Sequence, residues 1–368
     1  MTDQSDNRLS LRVADVFQRQ MLACVSRSFA LTIPRLPPSL SRVVGNAYLI
    51  CRLADVIEDD PRISQAQTAS LLALMIQILQ GNARHGAFAA RVLPLLGAET
   101  KSPERRLVAG AEKIFRLYAS LPESSQQAIL QCVTDMTCGM RTFAPEGRYG
   151  LADQASLDAY CYCVAGVVGQ MLTRLFCDYA DDIAVRRPQL QALSVSFGEA
   201  LQLTNILKDI WDDLDRGYCW LPRDRFTAAG VNLDHLARGT QNPAFAKCQA
   251  ELVALAHGHL ANALEYTLLI PPRHRDIRIF CLWAIFLALP TLRKVHASAD
   301  APGLQPNKIS KIQALLLTRL TALTAGSDTA QRLLFRSLGA GLPFKAVDPA
   351  ALPDSVLVPD ETVALRHA

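Results

Sequence analysis

Residues 203–222 read LTNILKDIWDDLDRGYCWLP, an apolar stretch that carries Asp209, Asp212, Asp213 and Asp215. At about 100° per residue, Gln202, Asn205, Asp209, Asp213 and Arg216 share one sector of a helix. Leu203, Ile206, Leu207, Ile210, Trp211 and Leu214 take the other side. A surface helix with its acids in water has the same pattern. Like charges at i,i+4 repel, however, so the Asp209/Asp213 pair asks for a cationic partner.

A second copy tips the balance. YLICRLADVIEDD (48–60) puts Tyr48, Arg52, Asp55 and Asp59 in one sector, backed by Leu49, Leu53, Val56 and Ile57. Residues four apart have Cβ atoms about 5–6 Å from each other, so each pair can reach one metal cluster. Carboxylate oxygens suit Mg²⁺, which binds through one or two carboxylates plus substrate phosphates. Two such helices facing each other would hold a Mg²⁺–diphosphate, with Arg52, Lys208 and Arg216 neutralising phosphate oxygens. A metal-bound diphosphate is a good leaving group, and the carbocation left behind needs dry apolar walls. AYCYCVAGVVGQMLTRLF (159–176) offers them, with Tyr160, Val164, Val167, Val168 and Met171 near one face. Gly166 and Gly169 beside that face leave room for a close helix or a ligand, and close helix packing is the simpler reading.

The 368 residues are half apolar and 20% charged, with a net charge of +4. That is enough chain for a large core, and too mild a charge for a polyanion binder, so no nucleic-acid partner is expected. The ten cysteines include no CxxC pair, and Cys161 with Cys163 alone lacks zinc-site spacing, so free, buried thiols in a reducing cytoplasm are expected. The opening MTDQSDNRLS is polar and reads as no signal peptide. The strongly apolar uncharged run 279–292 is shorter than the roughly 20 residues of a membrane span and reads as a buried helix. Helical periodicity recurs between turn clusters such as PRLPPSL (34–40) and APEGRYG (144–150), and strand-like alternation is scarce. These patterns predict an all-α protein: a polar segment over 1–15, one helical domain over 16–338, and a Pro-rich extended tail over 339–368.

SRSFALTIPRL (26–36), YLICRLADVIEDD, YCYCVAGVVG (160–169) and QLTNILKDIWDD (202–213) resemble, in this order, the motifs of squalene and phytoene synthases. The resemblance covers about residues 20 to 320. It implies the class I isoprenoid synthase fold with a central active-site cavity. It also implies Mg²⁺ held by Asp55, Asp59, Asn205, Asp209 and Asp213, with two prenyl diphosphates as substrates. Ser26, Arg27, Ser28, Phe29, Tyr48 and Arg52 then match the phosphate-binding region, and Val164 and Gln202 the active-site wall. Tyr160 matches a tyrosine that assists proton removal; with an ordinary pKa near 10 it needs help as a base, as from released diphosphate.

LTRLF (172–176), FCLWAIFLALPTL (280–292) and NKISKI (307–312) are similar to the squalene branch, which adds a reduction by NADPH. There Lys308 and Lys311, with Asn205, match cofactor contacts. Ser310 stands for the branch's arginine, Ile312 for its glycine, and Ala284 and Ile285 for its Pro-Gln. No GxGxxG opens a βαβ unit, so an NADPH site is not of Rossmann type. The expected activity is condensation of two farnesyl diphosphates to presqualene diphosphate, then reduction to squalene. The alternatives are phytoene or dehydrosqualene formation without reduction, and a non-catalytic isoprenoid-lipid carrier. A terpene cyclase or chain-elongating prenyltransferase would lack SRSF and YCxxVAG. The family's eukaryotic members carry a C-terminal membrane anchor, whereas this sequence closes on a Pro-rich charged stretch. A bacterial-type enzyme in the cytoplasm, or attached peripherally at the inner membrane face, is therefore expected.

Overall fold

The computed structural model describes residues 2–26, 29–60, 62–97, 100–143, 150–239, 241–298 and 309–353, with side chains from Leu9 onward. Among the described residues every regular element is helical, and extended pairing is confined to an isolated bridge between Leu151 and Pro222. The helices form two compact units: residues 1–141 with 174–179, and residues 142–173 with 180–368.

The first unit holds α1 (Thr2–Val25), α2 (Phe29–Thr32), α3 (Pro38–Asp59), α4 (Gln65–Leu79), α5 (Ala87–Val92), α6 (Ser102–Ala109), α7 (Ala111–Ala119) and α8 (Glu123–Thr142, its last residue in the second unit). α1 already runs from Thr2, so the polar opening residues are helical. It is seated by Ala14, Met21 and Leu22, and by buried Gln18, which donates to the Arg42 carbonyl at 2.9 Å. Pro38 opens α3 at a position where a missing N–H costs nothing, and Leu49, Leu53, Val56 and Ile57 are buried as the sequence pattern requires. α4 starts with a capping box between Ser64 and Gln67.

The second unit holds α9 (Gln154–Cys161), a π-helical turn (Tyr162–Gly166), α10 (Val167–Tyr179, its last six residues in the first unit), α11 (Asp181–Ala184), α12 (Arg187–Asp215), α13 (Arg223–Ala228), α14 (Pro243–Leu269), α15 (Arg275–Ala297), α16 (Lys311–Thr324) and α17 (Asp328–Gly339). The long helices α12, α14 and α15 pack on one another. α15 is long and apolar enough to cross a membrane, but most of its apolar window is buried against other helices.

Arg278 is fully buried in α15. It donates to the carbonyls of Leu268 (3.1 Å), Ile270 (2.6 Å) and Ala325 (3.1 Å), and to Asp328 (2.7 Å). One cation thus satisfies the carboxyl ends of α14 and α16, where carbonyls lack intrahelical partners. Residues 340–353 follow α14: Lys345 N–H donates to the Ala254 carbonyl at 3.0 Å, and Asn262 to the Val347 carbonyl at 3.1 Å. The rest of the expected tail, 354–368, lies outside the described residues. None of the ten cysteines forms a disulfide, and seven are buried; Cys24, read as buried, is exposed on α1 because the apolar face there is taken by Met21 and Leu22.

Candidate active site

In the first unit the four residues of the α3 stripe come together as their spacing predicts. Arg52 Nη1 lies 3.2 Å from Asp55 and 3.9 Å from Asp59, and Nη2 donates to Glu104 of α6 at 2.5 Å. Arg52 Nε is buried without a hydrogen-bond partner. Burial pushes the Asp55 carboxyl up to about 6 against the pull of Arg52, with Asp59 adding repulsion. Burial also pushes neighbouring Glu58 up to about 8, helped by Asp55 and Asp59. Asp55, Asp59 and Glu104 around one guanidinium make a negative site that a dication would relieve.

Ser26 caps the turn into α2 by accepting from the Phe29 N–H at 2.9 Å, and it hydrogen-bonds Tyr48, whose pKa burial raises. The Phe29 and Tyr48 rings lie 5.3 Å apart, so Ser26, Phe29, Tyr48, Arg52, Asp55 and Asp59 form one cluster. Arg27 and Ser28 lie outside the described residues.

In the second unit α12 carries the other pair. Lys208 Nζ donates to Asn205 Oδ1 at 3.0 Å and sits 3.0 Å from Asp209. Arg216 closes on Asp213, and Arg238 reaches Asp212 at 2.7 Å and Asp215 at 2.8 Å. Burial pushes Asp213 up to about 6 despite Arg216, with Asp209 and Asp212 adding repulsion. The cations sort the strip into two faces: Asn205, Asp209 and Asp213 on one, Asp212 and Asp215 tied to Arg238 on the other. Gln202 is half-buried one turn before Asn205.

Backbone contact explains two glycines around the YCYCVAG segment. A Cβ on Gly198 of α12 would stand 2.2 Å from the Ala165 carbonyl oxygen, and one on Gly169 would stand 2.0 Å from that of Ser194. The two helices therefore touch backbone to backbone, and Ala165 to Gly169 serve packing, as the simpler reading held. The π-helical turn carries half-buried Val164. Tyr160, 8% exposed, stacks flat on Trp220 at 4.2 Å and 9°, with Phe143 edge-on at 6.2 Å. Trp220 is placed by the bridge at its flank, where Leu151 N–H donates to the Leu221 carbonyl at 3.0 Å and Arg223 N–H to that of Leu151 at 2.8 Å. Ile206, Ile210, Asp213, Cys219 and Trp220 line a crevice beside this ring.

Among the described residues no group of three or more His, Cys, Asp or Glu side chains makes a ready-made metal cage. The carboxylates stand as pairs, which suits a cation that keeps waters and takes phosphate oxygens. Lys311 is exposed in the first turn of α16, behind the Ser310 cap, and Lys308 lies outside the described residues. Glu104, Trp220 and Arg238 escaped the sequence reading. Glu104 and Arg238 come from other elements with no motif of their own, and Trp220 had a faint signal as a tryptophan in the turn after the acid helix.

The profile of the squalene/phytoene synthase family matches residues 22–313. A squalene synthase of Candida albicans is 30% identical over 75% of this chain, and squalene synthase 1 of Arabidopsis thaliana is 26% identical, also over 75%. The chain spans 61% and 64% of their lengths, respectively. Among solved structures, TcSQS in complex with the ligand BPH1237 aligns with a TM-score of 0.72 at 22% identity, over 89% of this chain and 90% of that one. A dehydrosqualene synthase aligns with a TM-score of 0.60 at 20% identity, over 85% and 96%. The helical architecture is thus the isoprenoid synthase fold, and the chain belongs to the squalene/phytoene synthase family.

Proposed function

We propose that this chain is a squalene synthase. It would join two farnesyl diphosphates head to head into presqualene diphosphate and reduce that with NADPH to squalene. The observation that carries the reading is the repeated carboxylate pair: Asp55 and Asp59 with Arg52 on α3, and Asp209 and Asp213 with Asn205 on α12. The curated relatives named squalene synthase support the choice of product.

Each carboxylate pair has donors that suit Mg²⁺: Asp55 and Asp59 would hold it in the first unit, and Asn205, Asp209 and Asp213 in the second. When bound, Mg²⁺ would neutralise diphosphate and stabilise the charge that grows as the C–O bond breaks. Arg52 supplies a guanidinium whose buried Nε–H is unspent, suited to a phosphate oxygen. Lys208 and Arg216 already touch the second pair, so anionic substrate would meet cations as well as carboxylates. Tyr160 is held by Trp220 in a mostly apolar setting, where its phenol would orient the proton that leaves during cyclopropane formation. Ile206 and Ile210 wall the crevice beside it and exclude water that would quench a cation. Lys311, with Lys308, would receive the cofactor phosphates.

The test is product analysis after incubation with farnesyl diphosphate and Mg²⁺, with and without NADPH. Squalene with NADPH and presqualene diphosphate without it are expected. Asp55→Asn and Asp209→Asn should each lower diphosphate release at least about a hundredfold in folded protein. Dehydrosqualene regardless of NADPH would overturn the reductive step, and near-normal release by the variants would overturn the metal assignment.

A further inference from the structure

α16 is built inside out. In a surface helix the aliphatic side chains face the protein and the polar ones face water. Here Ile312, Leu315, Leu316, Leu320 and Leu323 are 72, 52, 63, 45 and 77% exposed, while Thr321 is fully buried and Thr318 half-buried. At about 100° per residue the five aliphatic residues occupy one continuous sector of about 140° on the solvent side. The inner side is seated through polar contacts. Thr318 and Thr321 hydroxyls turn back onto the Ala314 and Leu317 carbonyls, at 2.9 and 2.7 Å. Trp283 Nε1 donates to the Thr318 carbonyl at 3.0 Å, and Arg275 to that of Ala322 at 3.0 Å. The outward leucines are thus fixed in place by bonds on the opposite face.

A contiguous exposed aliphatic surface of this kind marks a site that something apolar covers. Charge tells which partner. α16, KIQALLLTRLTALT, contains Lys311 and Arg319 and no acid. Arg319 falls within the aliphatic sector itself and is exposed, and Arg275 is exposed beside the carboxyl end of the helix. A second copy docked about a two-fold axis would bring Arg319 towards its own equivalent across an apolar interface, a poor arrangement. A lipid surface accepts both features: acyl chains take the leucines while the arginine and lysine stems reach the headgroups.

We propose that the outer face of α16 is a lipid-docking surface, which lies in the plane of an anionic bilayer with Ile312, Leu315, Leu316, Leu320 and Leu323 inserted and Arg319 at the phosphates. Apart from Lys311 in its first turn, the helix carries no residue assigned to the chemistry above, and the test uses no substrate. The full chain is mixed with vesicles of phosphatidylcholine, or of phosphatidylcholine and phosphatidylglycerol in equal amounts, and floated on a density gradient. The wild type should float with both and more with the anionic vesicles. The triple variant Leu316→Gln, Leu320→Gln, Leu323→Gln should bind about a hundredfold more weakly. Its melting temperature should not fall, because the three side chains are exposed. Arg319→Glu should remove the preference for anionic vesicles and leave the rest.

Failure of the wild type to float, or equal flotation of the triple variant, would overturn the proposal. So would a wild-type dimer that the triple variant breaks without any vesicle binding, since a second copy would then be the occupant.

Discussion

Glu199→Gln should make the protein more stable, and by an amount that grows with pH. Glu199 lies in α12, one turn before Gln202; it is 2% exposed, and both carboxyl oxygens lack a hydrogen-bond partner. His259 of α14 places Nδ1 3.5 Å from Oε2, and that nitrogen is 2.9 Å from the Ser196 hydroxyl. Burial lowers His259 to about 4, so the imidazole is neutral and offers no countercharge at neutral pH. Asp158 of α9 faces the carboxyl as well, and burial with that repulsion pushes Glu199 up to about 9 from an ordinary 4.5. Below about pH 4.5 both folded and unfolded chains carry the proton. As pH rises towards 9 the unfolded chain releases it and the folded chain does not, so stability is lost progressively across that window.

Each pH unit in that window costs about 1.4 kcal/mol, so the loss is about 3 kcal/mol at pH 7 and saturates near 6 kcal/mol above pH 9. Glutamine has the shape of the protonated acid and does not titrate. Urea unfolding followed by circular dichroism, at several pH values from about 6.5 to 8.5, should show the gap between variant and wild type widening by about 3 kcal/mol. His259 is already neutral throughout that range and cannot contribute. Parallel curves, with the variant less stable by a constant amount, would refute the reasoning: Glu199 would then be ionised and paired with a protonated His259.

Gly198→Ala should cost about 3 kcal/mol in the same unfolding assay, because its Cβ would meet the Ala165 carbonyl at 2.2 Å where backbones, not flexible side chains, must move. Arg278→Met should cost about 3–5 kcal/mol and lower the melting temperature, leaving three carbonyls and Asp328 without their donor; Asp328→Asn, at a half-exposed partner, should cost much less. Trp220→Ala should lower turnover in the reaction proposed above about tenfold by freeing the Tyr160 ring, with Trp220→Phe restoring most of it and protein stability little changed in either.

What the sequence made legible follows from how far apart the interacting groups lie along the chain. The α3 stripe of Tyr48, Arg52, Asp55 and Asp59 and the α12 pair are contained within single helices, so 3.6-residue periodicity alone places their side chains on common faces. The buried backing of Leu49, Leu53, Val56 and Ile57 follows by the same rule. Glu104 reaches Arg52 from 52 residues away, and Arg238 reaches Asp212 from 26, so no local period announces them. Trp220 meets Tyr160 only because the Leu151–Pro222 bridge folds the turn after α12 back over α9.

α16 fails for a different reason. Its Leu and Ile residues recur at helical spacing, and spacing shows that a stripe exists but not which way it faces. The direction is set by Trp283 and Arg275 of α15, which donate to the Thr318 and Ala322 carbonyls on the polar side. Glu199 belongs to the same class: a glutamate among apolar residues reads as an exposed interruption of the helix until α9 and α14 are packed around it. Local rules thus place the residues that share one helix face. The features still to be tested, a neutral buried acid and an outward aliphatic face, are those that only packing between helices creates.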